Sequence, residues 1–117
     1  MANPNLLSAV TINGNTTVQA VTTTATAIAT NTAASGKIYR VISLIISNVD
    51  GDGPADITVD IFRSSTPYRI ISSATIPQDT SLDLITKSLF LLEGDSLRLT
   101  ASADSYLEAV CCFEEVS

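Results

Sequence analysis

The stretch KIYRVISLIISNVDGDGPADITVDIFR (residues 37–63) decides the fold class. In its second half Ile57, Val59 and Ile61 recur at every second position, which is the period of a strand with one buried face. Residues 41–46 are apolar except for one serine, which predicts a strand covered on both faces. The intervening VDGDGP concentrates residues that favour turns. The stretch therefore predicts a hairpin of two strands.

The rest of the chain continues this pattern of short strands. Apolar residues alternate along residues 96–101 and 106–116, and shorter strand-like segments follow the first stretch at 68–76, 81–85 and 88–92. Clusters of Gly, Pro, Ser and Asp separate them at short intervals, which is typical of a β-sandwich. We therefore expect a single all-β sandwich, jelly-roll-like, with about eight short antiparallel strands.

The N-terminal third differs from the rest in composition. A short strand is predicted over residues 8–12, ended by a turn at Asn13-Gly14-Asn15, and a segment rich in Thr and Ala follows. Such a segment can be extended, but its small side chains bury little apolar surface. It is either an edge strand or an arm that becomes ordered against a neighbouring subunit. We predict that residues 1–36 form this arm or these edge strands and that residues 37–117 form the sandwich.

Composition argues against several classes of function. The net charge is −6 and the six basic residues are scattered, so we expect no nucleic-acid partner. No apolar run approaches the roughly 20 residues of a membrane span, and the N-terminus does not have the pattern of a secretory signal. The chain has no His, the commonest general base and metal ligand. We therefore expect neither an enzyme nor a cofactor.

Two motifs were considered as ligand sites. The turn from Asp50 to Asp56 holds several carboxylates, which are the ligands that Ca²⁺ prefers, but it does not have the spacing of an EF-hand loop. A solvated turn is expected, and whether it binds a cation stays open. Cys111 and Cys112 are neighbours on a predicted strand, so their side chains point to opposite faces and both thiols are expected to be reduced.

The candidate residues for a protein interface are Thr22, Thr24, Thr26, Ile28, Tyr39, Val41 and Ile45. The first four belong to the Thr-rich segment, which could add a strand to a neighbour's sheet. The tyrosine opens a strand, where an aromatic ring covers a core edge or contacts a partner. Val41 and Ile45 supply the second apolar face of their strand. Either another part of the same sandwich covers that face, or it forms a subunit interface.

Residues 38–117 resemble a small all-β virion structural protein of tailed bacteriophages, especially phages that infect cyanobacteria. Three pieces carry the resemblance: IYRVISLIISNVDGDGPADITVDIF, IPQDTSLDLITKSLFLLEGDSLRLTASA and YLEAVCCFEEVS. Together they cover about two-thirds of the chain. Their shared features are strand and turn residues, so the resemblance concerns structure more than chemistry.

The resemblance implies a non-enzymatic component of the virion, made in the host cytoplasm. The leading hypothesis is a capsid decoration (cement) protein, a trimer or dimer that binds the outer shell and bridges major-capsid subunits to stabilise the DNA-filled head. One alternative is a neck or tail accessory protein of the same fold. Another is a surface module that binds the host or a glycan.

Overall fold

The computed structural model describes residues 5–50 and 52–117, which form an elongated body of 49 × 26 × 19 Å. In these residues a short 3₁₀ helix, Leu6–Ser8, precedes nine strands. The strands are β1 (Ile12–Ala20), β2 (Thr26–Thr30), β3 (Ile38–Asn48), β4 (Ala55–Arg63), β5 (Thr66–Ile76), β6 (Ser81–Asp83), β7 (Leu89–Leu91), β8 (Ser96–Ala101) and β9 (Leu107–Val116). No helix in the described ranges is long and apolar enough to cross a membrane.

Two antiparallel sheets pack face to face, which confirms the predicted β-sandwich. The first sheet has the order β1-β9-β3-β6, with β7 also paired to β3, and the second has the order β2-β8-β4-β5. Strands from opposite ends of the chain lie side by side, since β1 pairs with β9 and β2 pairs with β8. The N-terminal third is thereby joined to both sheets.

The core lies between the sheets and is built by alternation. In β8, and in β9 as far as Phe113, every second side chain is buried and the others face outward, as the sequence pattern predicts. The largest fully buried side chains are Leu44, Ile46, Ile57, Ile76, Leu91, Leu97, Leu99 and Leu107. Burying each such side chain is worth about 1.5–3 kcal/mol, so this cluster supplies most of the driving force for folding.

The predicted hairpin over residues 37–63 is wrong, because β3 and β4 belong to different sheets. Their connection crosses the sandwich and is held by the buried Asn48, whose amide donates to the carbonyls of Gly53 (2.9 Å) and Ile76 (3.0 Å). The hairpin in this region joins β4 to β5 instead. Its turn is Ser64-Ser65, with φ of 52° and 62°, the positive values that a two-residue type I′ turn requires.

The prediction that the sandwich itself covers both faces of residues 41–46 is also wrong. The register of β3 against β9 shifts between Val41 and Ser43, so that Ile42 is an extra, bulged residue. Val41 and Leu44 are fully buried, whereas Ile42 is 45% exposed and Ile45 is 36% exposed. Before the bulge the core-facing positions include Val41, and after it they include Leu44 and Ile46. Because the alternation changes phase at the bulge, the strand reads as a continuous apolar run although it buries only one face.

The turn predicted at Asn13-Gly14-Asn15 is likewise wrong, because β1 runs straight through it. These three residues pair with residues 113–115 of β9, and the Asn15 amide donates to Glu115 Oε2 at 2.7 Å. Both strands of the N-terminal third lie at sheet edges, and an arm that contacts a neighbouring subunit stays a prediction. β1 borders the first sheet and β2 borders the second, and Val21 and Ile28 add their side chains to the core.

Candidate interaction surfaces

Two carboxylates of the Asp50–Asp56 segment accept hydrogen bonds, one within the β3–β4 turn and one from β5. Asp50 Oδ1 accepts a hydrogen bond from the Asp52 N–H at 2.8 Å, and Asp56 Oδ1 accepts one from the Thr75 hydroxyl at 2.8 Å. Gly51 lies outside the described residues. Across the rest of the chain that the structure describes, no group of three or more His, Cys, Asp or Glu side chains is placed to hold a metal ion.

One carboxylate buried at the edge of the core is fully paired. The Asp95 side chain is 1% exposed. It accepts hydrogen bonds from Arg63 Nε at 2.7 Å, from Arg63 Nη2 at 2.6 Å and from the Leu92 N–H at 2.8 Å. Burial alone would raise the pKa of Asp95, but these hydrogen bonds outweigh it and hold the pKa below its usual value. Asp95 is therefore an ionised anchor for the β7–β8 connection.

A second paired carboxylate lies on the outer face of the second sheet. Asp60 accepts from Arg98 Nε at 2.9 Å and from Arg98 Nη2 at 3.2 Å, and the Arg98 guanidinium lies 4.1 Å from the centroid of the Phe62 ring. The bidentate pair and the stacked cation fix the arginine in one orientation. This arrangement ties β4 to β8 across the sheet.

The two cysteines have the opposite orientations that their adjacency predicts. Cys111 is buried in the core, and desolvation raises the pKa of its thiol to about 12, so its reactive thiolate is scarce at neutral pH. Cys112 is half-buried on the outer face, with its sulfur 3.7 Å from the Thr16 hydroxyl. Both thiols are free.

The seven predicted interface residues do not form one surface. Ile28 and Val41 are in the core, so their side chains have no surface to offer a partner. The Thr-rich residues lie in and after the β1–β2 turn, where the Thr22 and Thr26 hydroxyls both donate to the Thr24 carbonyl at 3.0 and 2.9 Å. These exposed hydroxyls thus use their hydrogen bonds within the β1–β2 turn. An interface role for them stays a prediction.

The remaining two candidates lie on opposite faces of the first sheet. Tyr39 packs against the core and stacks on Phe113, with ring centroids 5.0 Å apart, and burial raises the pKa of its hydroxyl. Ile45 points outward from the same strand. Only Ile45 belongs to a larger exposed apolar feature.

That feature is a row of three side chains across the outer face of the first sheet, here called the outer strip: Val18, Val110 and Ile45. The strand registers place Val18 opposite Val110 and Val110 opposite Ile45. Val18 is 71% exposed, and a shallow depression of about 290 Å³ lies beside it, with Ala20 and Glu108 in its lining. Val110 was predictable as an apolar residue in the otherwise polar row of β9, but Val18 gave no such signal.

A second exposed apolar feature runs from the 3₁₀ helix to the first residue of β1. Leu6, Leu7, Val10 and Ile12, here called the N-terminal segment, all carry exposed side chains. Leu7 is 98% exposed and Val10 is 92% exposed, although the Val10 and Thr11 N–H groups donate to the Ser117 carbonyl at 2.7 and 2.9 Å. The backbone of the segment is therefore attached to the domain while its side chains project into solvent.

The charge of the protein is concentrated at one end of the sandwich. The β1–β2, β3–β4, β5–β6 and β8–β9 connections meet at this end, here called the acidic end. Its acidic residues are Asp50, Asp52, Asp56, Asp79, Asp104 and Glu108. The other six of the twelve acidic residues equal the six basic ones in number, so the net charge of −6 belongs to the acidic end.

The opposite end, here called the neutral end, pairs three of its carboxylates with basic side chains. Lys37 Nζ lies 2.8 Å from Glu115 Oε1, and Arg40 Nη1 lies 3.1 Å from Glu114 Oε1. The Arg63–Asp95 pair and the N-terminal segment lie at this end too. The long axis of the molecule thus runs from an acidic end to a balanced end with exposed apolar side chains.

No protein-family model matches the chain, and no curated protein matches it in sequence. Among solved structures the chain is similar to a protein described under the words "Bacillus endospore appendages form a novel family of disulfide-linked pili". The TM-score is 0.58 at 14% identity, over 100% of this chain and 96% of that one. At this level of identity the likeness is one of fold alone.

The chain also aligns with a pentameric capsid protein isolated from metagenomic phage sequences. Two structures of that protein give TM-scores of 0.45 and 0.44 at 22% identity. The alignments cover 87% of this chain and 60% and 62% of those chains. Scores this low do not establish a common fold.

Proposed function

We propose that this chain is a non-enzymatic structural protein of a phage particle, and specifically a decoration protein on the outer capsid surface. It would bind assembled shell and bridge major-capsid subunits. A protein that binds the assembled lattice and not its free subunits stabilises the lattice by mass action. Many copies would thereby oppose the outward pressure of packaged DNA.

The observation that carries the proposal is the separation of charge from apolar surface. The acidic end carries the whole net charge, whereas the N-terminal segment, which has the most exposed apolar side chains, lies at the neutral end. A protein attached to a shell needs one part that contacts protein and another that stays hydrated. Exposed apolar side chains suit the first task and unpaired carboxylates suit the second.

Two further points support a structural role. Residues 38–117 resemble a virion structural protein, as quoted above, and the fold is shared with a protein that forms pili. The sandwich is also cross-linked internally by bidentate Arg–Asp pairs at Asp60 and Asp95, which hold side chains in fixed positions. A fixed surface suits a subunit that must fit a lattice.

The test is the position and copy number of the protein in intact particles. A decoration protein is expected in hundreds of copies over the shell surface, seen by cryo-electron microscopy and counted by quantitative mass spectrometry. The alternative, a neck or tail accessory protein, would form a ring of about a dozen copies or fewer. The proposal fails if the protein is absent from purified particles.

A binding measurement tests the assigned orientation. Purified protein is added back to shells that lack it, at low and at high salt. If the acidic end faces solvent, occupancy changes little, because no charge pairing is lost to screening. A steep loss of occupancy with salt would mean that the acidic end binds a basic surface, and the orientation would then be reversed.

A further inference from the structure

We infer that β1 pairs with the β1 strand of a second copy, antiparallel about a two-fold axis at Thr16. The first sheets of the two copies would then join edge to edge into one continuous sheet. This contact uses the backbone edge of β1, which the proposed contact with a capsid shell does not use. Such a dimer forms or fails to form whether or not the protein decorates a capsid.

In the described residues the two sheets have four edges, and three of these are protected against pairing with another strand. The edge formed by β6 and β7 has strands of three residues each, and β2 has five residues with a shift in register. β5 contains Pro67 and Arg69 and two shifts in register against β4. Short strands, bulges, prolines and charged side chains are the features by which natural proteins prevent sheet edges from pairing with other chains.

The edge of β1 has none of these features. β1 pairs with β9 over nine consecutive residues without a shift in register, and its sequence INGNTTVQA contains no charged residue and no proline. A long, regular and uncharged edge is a template on which a further strand can pair. At the rise of a strand this edge is about 30 Å long.

The pairing of β1 with β9 shows which backbone groups of β1 face outward. Thr11 and Ser117 exchange both of their backbone hydrogen bonds, and the Val21 N–H donates to the Leu107 carbonyl in the same register. Because hydrogen-bonded pairs alternate along an antiparallel ladder, the odd-numbered residues of β1 point their N–H and C=O groups at β9. The even-numbered residues point theirs away from the sheet: Ile12, Gly14, Thr16, Val18 and Ala20.

The outer face of β1 is self-complementary when two copies of the strand run antiparallel about Thr16. Ile12 of one copy then lies opposite Ala20 of the other. Gly14 lies opposite Val18, so that each branched aliphatic side chain meets a small residue. The two copies of Thr16 face each other, a pair that stabilises antiparallel sheets. All these pairs join outward-pointing residues, so the two strands can exchange hydrogen bonds along their whole overlap.

The inner face of β1 fits the same register. Asn13 of one copy lies opposite Gln19 of the other, and Asn15 lies opposite Thr17. Polar residues therefore face polar residues, and no charged side chains are brought together. Full overlap of the two strands thus matches large with small and polar with polar at every position. A second copy of β1 provides this match, whereas a strand of arbitrary sequence does not.

The dimer is expected to be weak. A contact that is one strand deep belongs to the small class of interfaces, which bury less than about 1,200 Å² in total. Its main component is backbone hydrogen bonding, with two bonds for each pair of outward-pointing residues. We therefore expect dissociation in the high-micromolar range, so that dimers form where many copies are held close together.

The experiment uses the full chain in sedimentation equilibrium up to millimolar concentration. Thr16→Lys and Thr16→Glu each place two like charges face to face at the two-fold axis, and Thr66→Lys at an exposed position of β5 is the matched control. We expect the wild type and the control to form dimers and nothing larger. Each Thr16 variant is expected to dimerise at least about fivefold more weakly, because like charges directly opposite destabilise a strand pair.

The decisive measurement is an equal mixture of Thr16→Lys and Thr16→Glu. Opposite charges then face each other at the axis, so the mixture is expected to recover the dimerisation of the wild type. No other register or parallel pairing brings these two positions together. A wild type that stays monomeric at millimolar concentration overturns the inference. So does a Thr16 variant that dimerises as well as the wild type, or a mixture without recovery.

Hydrogen exchange of the wild type covers the case in which a charged residue disturbs the fold. The N–H groups of Gly14, Thr16 and Val18 are expected to exchange rapidly at low concentration and to become protected as the dimer forms. Those of Asn15 and Thr17 point at β9 and should be protected throughout. Exchange that does not depend on concentration at the first three positions overturns the inference. A monomer found on particles would contradict only this inference, and a dimer absent from particles would contradict only the proposed function.

Discussion

The two ends of the sandwich are closed by the same device. At the neutral end the buried Asn31 amide donates to the carbonyls of Lys37 (2.9 Å) and Leu91 (3.0 Å). At the acidic end the buried Asn48 amide donates to two carbonyls in the same way, one in its own connection and one on β5. Each asparagine thus joins a connection to a strand that is distant in sequence.

The ends differ in what surrounds that device. At the neutral end Asp95, Glu114 and Glu115 pair with Arg or Lys. At the acidic end Asp50, Asp56 and Asp104 accept hydrogen bonds from backbone or hydroxyl groups. The connections at both ends are therefore held by a buried asparagine, whether or not ion pairs lie beside it. The comparison implies that charge at the neutral end serves stability, and that charge at the acidic end is free for solvent or partners.

The largest effect is expected from removing the asparagines. Asn31→Ala and Asn48→Ala each remove two hydrogen bonds to backbone carbonyls, one of them buried, and a buried group left unsatisfied costs about 1–3 kcal/mol. Each variant should therefore lose about 3 kcal/mol of unfolding free energy, measured by urea denaturation. Asn13→Ala, at an exposed position of β1, is the control and should change stability by less than about 0.5 kcal/mol.

The two asparagine variants should lose similar amounts if the ends are closed in the same way. A loss confined to Asn31→Ala would show that the acidic end contributes little to stability. The comparison would then be one between a fixed end and a loose end.

A smaller effect is expected from the buried carboxylate at the neutral end. Asp95→Ala removes the partner of Arg63 and of the Leu92 N–H, and should destabilise the protein by about 2 kcal/mol. Asp104→Ala is the matched change at the acidic end, where the exposed carboxylate accepts only the Thr23 N–H. It should cost less than about 1 kcal/mol, and equal losses in thermal melts would contradict the assignment of charge roles.

The fold class was predictable because apolar residues alternate along β8 and along β9 as far as Phe113, and such alternation indicates one buried face. The partition of strands between sheets was not. A turn rich in Asp and Gly suits a hairpin and a crossover equally well, and contacts far apart in sequence decide between them, such as that of Asn48 with Ile76. The bulge at Ile42 was hidden for the same reason, because only pairing with β9 reveals the shift in register.

The candidate surfaces were less predictable than the fold. Ile45 was selected for being apolar on a strand that already had one apolar face, and its exposure supports keeping it as a candidate. Val41 was selected on the same pattern but is in the core, since the bulge reverses the alternation between them. The six carboxylates of the acidic end lie close together only because four connections meet there in the fold. Each connection alone carries too little charge to indicate this from the sequence.

The pH dependence of stability sharpens the role of Asp95. Its pKa is lowered in the folded protein, so the carboxylate contributes stability that is fully present above the unfolded-state pKa of about 4. That contribution is lost as the pH falls through the folded-state pKa. Urea unfolding at a series of pH values below 5 should therefore show a steeper loss for the wild type than for Asp95→Asn. Parallel curves would mean that the Arg63 pair does not set the acid sensitivity.

The smallest expected effect is the change in unfolding free energy when charge is removed at either end. This change is expected to have opposite signs at the two ends. Replacing Asp50, Asp79 and Asp104 by Asn keeps an oxygen acceptor in each turn and removes half of the net charge. Repulsion among the remaining carboxylates falls, so stability at low salt should rise by a few tenths of a kcal/mol. Replacing Glu114 and Glu115 by Gln removes the ion pairs with Arg40 and Lys37, and stability at low salt should fall slightly. Both changes should shrink in high salt, because screening removes the repulsion at one end and the attraction at the other.

Changes of the same sign at both ends would show that the carboxylates of the acidic end stabilise the fold, and the charge there could no longer be assigned to solvent or partners.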